Sequence, residues 1–106
     1  VKMLVSMMAL AATLTLAGEA VAQAEQTVVM SNMSYGKLPA GLKVGDTITW
    51  TNRDTVPHTV TARDHSFDLR VAPGRSTKMT LTKAGAFPFF CTYHTMMRGT
   101  LTVAPK

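Results

Sequence analysis

The chain has 106 residues, enough for one small domain, and its 46% hydrophobic content is ample for a core. Lys and Arg total 11 against 6 Asp and Glu, a formal net charge of +5 that can favour nucleic acid, anionic membrane or acidic protein partners. The charges are scattered, with no basic run and no nucleic-acid-binding signature, and the single cysteine rules out an internal disulfide.

Residues 1–24 read as a secretory signal. Lys2 supplies the positive start, and Met3 to Ala17 is almost wholly apolar. Ala20-Val21-Ala22 and Ala22-Gln23-Ala24 both offer small-x-small cleavage sites, and removal after Ala24 is expected. The apolar run is short for a membrane span of roughly 20 residues, so a retained anchor is disfavoured. The mature domain is then 25–106, still at +5, because Lys2 and Glu19 leave together.

Gln26 to Met30 is the first strand candidate. Asn32 to Ala40, with Gly36 and Pro39, reads as irregular, and Leu42 to Val44 as short and extended. After the Gly45-Asp46 turn, Thr47 to Thr51 alternates, with Ile48 and Trp50 on one face. Asn52 to Pro57 reads as a loop. His58 then shares parity with Val60 and Ala62, which points it inward. Ser66 to Val71 reads as a short strand or bend with Phe67 and Leu69 inward, and His65 as a surface residue. Pro73-Gly74 turns the chain. Ser76 to Thr82 alternates around Met79 and Leu81, and Lys83-Ala84-Gly85 turns again. Phe87, Phe89 and Cys91 keep one parity, and Leu101 and Val103 resume alternation after Gly99. Six to eight short strands without helical periodicity predict an all-β antiparallel sandwich.

Between the last two strands, a thiolate, an imidazole and a thioether recur at intervals of three: Cys91, His94 and Met97. Such soft donors favour copper over zinc, and one more imidazole completes a His₂Cys site with a weak axial methionine. His58, placed by Pro57 at the head of a strand, supplies it. Each residue alone has an ordinary reading. Cys91 could be a buried free thiol, His58 a core histidine, His94 a loop residue and Met97 a core methionine, with Met96 as its rival. The four in register argue for one copper ion, with Met96 on the apolar rim.

Gly45-Asp46-Thr47-Ile48-Thr49-Trp50-Thr51-Asn52-Arg53, then Pro57-His58, then Cys91-Thr92-x-His94-x-x-Met97-Arg98-Gly99 resembles the amicyanin-type small blue copper proteins of the cupredoxin family. The resemblance spans 25–106. Thr95-Met96 stands where that group usually carries Pro-Phe, and Thr59 where it usually carries Asn. The resemblance implies a Greek-key sandwich, a backbone N–H from Thr59 to the Cys91 sulfur, and a periplasmic setting. It also implies redox-protein partners: an amine-oxidising dehydrogenase as electron donor and a c-type cytochrome as acceptor.

Four protein donors leave no vacancy for substrate, which argues for single-electron transfer and against an enzyme. Copper storage or delivery is the alternative. Cys91 and His94 as a nucleophile–base pair lack a visible third group. The mature domain is expected to be a monomer without membrane or nucleic-acid contacts. Its docking patch would be Thr95, Met96 and Pro57 around His94, and its charged rim Arg98, Arg53 and Lys37.

Overall fold

The computed structural model describes residues 24–106, so the expected signal falls almost wholly outside the described residues. Nine strands follow in order: β1 (Glu25–Ser31), β2 (Ser34–Tyr35), β3 (Leu42–Lys43), β4 (Thr47–Asn52), β5 (His58–Ala62), β6 (Asp68–Val71), β7 (Ser76–Thr80), β8 (Gly85–Phe90) and β9 (Arg98–Ala104). They form two sheets, one ordered β2-β1-β4-β7 and the other β3-β9-β8-β5-β6. No helix occurs among the described residues, as the alternation predicts.

The expected pairing needs one correction. The sheets are mixed, because β1 runs parallel to β4 and β3 parallel to β9. Neither pair is joined by a tight turn. Between β1 and β4 the chain visits the other sheet, so nothing forces the two antiparallel. The hairpins β1–β2, β5–β6 and β8–β9 are antiparallel, as local connections require.

The inward parities meet between the sheets. Val28, Met30, Ile48 and Trp50 face Val60, Phe87, Phe89 and Leu101, all buried. Trp50 and Phe89 pack edge to face at 5.5 Å between centroids, and Tyr35 closes the cluster at 5.9 Å from Trp50 and 4.8 Å from Phe89. Such pairs add about 0.5–1.5 kcal/mol each beyond the area they bury. Gly99, paired with Phe89, leaves room for that ring: a Cβ there would lie 2.8 Å from Phe89 Cζ and 2.9 Å from Leu38 Cδ1.

The segment 32–40, expected to be irregular, opens with a hairpin instead. Asn32 (φ 54) and Met33 (φ 61) are both left-handed, the type I′ geometry that suits the twist of a two-residue β-turn. Methionine is a costly residue there, because its Cβ crowds the backbone by about 1–2 kcal/mol. The turn is held from outside: the Asp54 carboxylate accepts N–H bonds from Asn32 at 2.8 Å and Met33 at 3.0 Å.

Candidate metal centre

β4 ends at Asn52, whose buried side chain organises the next six residues. Its Nδ2 donates to the Val56 carbonyl at 2.8 Å and the Val71 carbonyl at 3.1 Å, and its Oδ1 accepts from Asp54 N–H at 2.9 Å. This fixes Asp54, and Asp54 in turn orients His58. Asp54 Oδ2 lies 2.7 Å from His58 Nε2. A carboxylate only accepts, so Nε2 carries a proton, and in the neutral ring this leaves the Nδ1 lone pair free. The hydrogen bond from His58, with those from Met33 and Asn32, holds the Asp54 carboxyl below the usual carboxylate range. The strained hairpin, the acidic side chain and the histidine are thus one unit.

The other donors come from the β8–β9 connection. His94 N–H donates to the Cys91 carbonyl at 3.3 Å, Met97 N–H to the His94 carbonyl at 2.8 Å, and Cys91 N–H to the Met97 carbonyl at 2.9 Å. The interval of three in the sequence is therefore two successive hydrogen-bonded turns, closed by a third bond. Met97 is buried and belongs to the same apolar cluster as Cys91, while Met96 is 85% exposed. That separates the two neighbouring methionines.

Cys91 Sγ lies 3.8 Å from His58 Nδ1 and 3.7 Å from His94 Nδ1. All three donor atoms fall within 4.8 Å of one another. An ion about 2.0–2.1 Å from nitrogen and about 2.3 Å from sulfur holds such donors about 3.5–3.8 Å apart at tetrahedral to trigonal angles. Both sulfur–nitrogen separations match, so the cluster can hold one metal ion. A buried cysteine sulfur with two imidazoles and a thioether close by in the chain is the donor set that suits copper.

Thr59 joins the two ligand segments. Its N–H donates to Cys91 Sγ at 3.3 Å, as the resemblance implies, and its Oγ1 accepts from Thr92 N–H at 2.8 Å. Its carbonyl accepts from the Tyr35 hydroxyl. Burial, and then the neighbouring Cys91 charge, push that phenol upward, so Tyr35 stays a donor.

His58, Cys91 and His94 converge as the sequence predicts, with His58 and Cys91 fully buried and His94 half-buried. Met97 lies in the same closed loop. His65 is exposed, at φ 64, away from this cluster. Sequence reasoning missed Asp54 and Tyr35. The signal for Asp54 is an acid four residues ahead of a ligand-type histidine in a loop too short to leave them apart. Tyr35 carries no such signal, because its contact with Thr59 spans 24 residues.

The cupredoxin-like domain family matches residues 5–103. Amicyanin of Paracoccus denitrificans is 34% identical over 89 residues, covering 78% of this chain and 68% of that one. Amicyanin of Paracoccus versutus is 29% identical over 82 residues, covering 72% and 62%, so this chain spans less than two thirds of that relative. Among solved structures, the reduced state of an amicyanin mutant superposes with a TM-score of 0.64 at 33% identity, covering 74% of this chain and 81% of the other. The Cu(I) form of a second mutant gives 0.65 at 33%, covering 79% and 86%. With the sandwich and its His-Cys-His cluster, these likenesses place the chain in the cupredoxin family, as an amicyanin-like member.

Proposed function

We propose that this protein is an exported type 1 copper protein that carries single electrons between redox proteins. The observation that supports this reading most is the Cys91 thiol set 3.7 and 3.8 Å from two imidazole Nδ1 atoms. His58, Cys91 and His94 would be the main donors, with Met97 as a weaker fourth. When bound, copper supplies a one-electron Cu(I)/Cu(II) couple.

The chain's own residues do the rest. Cys91 gives a strongly donating sulfur, and Thr59 N–H disperses its charge. Asp54 keeps the His58 ring in one tautomer and one orientation. His58 opens β5 and Cys91 directly follows β8, strands paired in one sheet, so their separation is nearly fixed. Donors that do not move between oxidation states keep the rearrangement per electron small. A filled donor set also leaves no position for substrate, which is why we read the protein as a carrier and not an enzyme.

His94 is the half-buried donor, and its neighbours Tyr93 and Met96 are 51% and 85% exposed. That is an apolar surface for a brief complex with a redox protein. By analogy with the family, the donor would be an amine-oxidising dehydrogenase and the acceptor a c-type cytochrome. Exposed Arg98, Arg53 and Lys37 would form a cationic rim. Electron transfer that slows as salt is added checks the rim, and a flat response removes it.

The proposal includes a signal at 1–24, a domain at 25–106, and a periplasmic monomer. Ala24 N–H and carbonyl bond to Asp46 and Thr47. Cleavage after Ala22 would keep both bonds and cleavage after Ala24 neither, and the intact mass of the periplasmic protein decides between them. The same sample, titrated with Cu(II), should give an intense visible thiolate-to-copper band that saturates at one equivalent. The band should bleach with reductant and return with oxidant without loss of metal. No band would end the copper reading, and metal lost on each reduction would favour storage or delivery.

A further inference from the structure

We propose that Asp68, an exposed residue of the edge strand β6, is a positioning residue for the metal centre, acting through the hydroxyls of Thr61 and Thr59. Asp68 touches none of the ligands. Its Oδ1 accepts from the Thr61 hydroxyl at 2.8 Å. Thr61 Oγ1 lies 2.9 Å from Thr59 Oγ1, and Thr59 Oγ1 accepts the Thr92 backbone N–H at 2.8 Å. Thr92 follows Cys91, and Thr59 follows His58. The relay therefore runs from the outer edge of the five-stranded sheet to both ligand segments.

Thr61 is the donor at the centre of the relay. Its hydroxyl donates to Asp68 Oδ1 at 2.8 Å and faces Thr59 Oγ1 as donor at 2.9 Å, so its one proton is shared and the carboxylate fixes the rotor that meets Thr59. Thr59 Oγ1 gives its own proton to Thr92 Oγ1 at 3.3 Å and accepts the Thr92 N–H at 2.8 Å. The same arrangement fixes the Thr59 rotamer from both sides.

The setting explains why such a device is present. Thr59 and Thr61 are each 5% exposed although they lie on the outward parity of β5, so their hydroxyls need partners within the protein. A threonine hydroxyl has one rotor, which must be set by its neighbours.

This inference deepens the copper reading, but its first test needs no metal. In metal-free protein, amide exchange at Thr92 should accelerate about tenfold in Thr61→Val and in Asp68→Ala, relative to the amides of β8 and β9. Asp68→Asn should recover most of the parent rate, because its carboxamide oxygen accepts the same proton without the charge. Valine keeps the β-branched shape at position 61, so at least one variant retains the fold. With copper bound, the Val and Ala variants should shift the thiolate-to-copper band and weaken affinity about tenfold. Unchanged exchange at Thr92, or exchange that rises only in step with the whole sheet, overturns the proposal. A chain that exchanged as stated but bound no copper would keep the relay and lose the copper reading.

Discussion

Replacing Cys91 with serine should abolish the visible band and lower copper affinity by more than about a hundredfold, beyond the loss typical of an outer hydrogen-bonding partner. The substitution is conservative in every respect but one. Cys91 is fully buried, and the backbone donor to its sulfur, Thr59 N–H at 3.3 Å, can serve a serine oxygen equally well. The strands on either side are unchanged. What is lost is the ionisable soft sulfur: a serine hydroxyl does not deprotonate in the working range, and its oxygen is a poor match for reduced copper. Optical titration with Cu(II), alongside far-UV circular dichroism, checks both halves. A variant that kept the band would place the metal elsewhere.

Asn52→Leu should lower stability by about 3–5 kcal/mol, because three hydrogen bonds vanish together and leave polar backbone groups buried without partners. Leucine fills the space but satisfies neither the Val56 nor the Val71 carbonyl, nor Asp54 N–H. For a domain of this size each kcal/mol moves Tm by about 4–8 °C, so the melting point should fall by 12 °C or more. The damage extends to the site. With Asp54 released, His58 Nε2 loses its orienting carboxylate, and copper affinity should fall even at temperatures where the variant is folded. Thr51→Val is the control, since Thr51 on the neighbouring position bonds only the exposed Ser76 hydroxyl at 2.8 Å. Equal losses in the two variants would mean that the Asn52 side chain is not the organiser.

The two faces of each strand were readable from alternation, because a side chain's parity depends on its own strand alone. Ile48 with Trp50, Phe87 with Phe89 and Cys91, and Met79 with Leu81 are all buried as their parity predicts. The choice of neighbours was not readable. Whether β1 lies beside β4 depends on crossovers that leave no local pattern, and so the parallel pairs escaped. β2 escaped for a different reason: its turn uses Met33 at a left-handed position, where sequence rules look for glycine or asparagine. The three converging donors were legible because metal chemistry restricts the residue types to a few. The groups that orient them were not. Asp54, Thr61 and Asp68 are common polar residues whose roles come from contacts made only once the sheets are assembled.

The unequal exposure of two adjacent thioethers has a further effect, on oxidative damage. Met96, at 85% exposure, meets peroxide directly, whereas Met97, at 4%, is shielded by the core. Conversion of Met96 to its sulfoxide puts a polar oxygen onto the proposed contact surface while the donor atoms behind it stay intact. Oxidised protein would therefore keep its colour and lose its partner, and methionine sulfoxide reductase would restore binding.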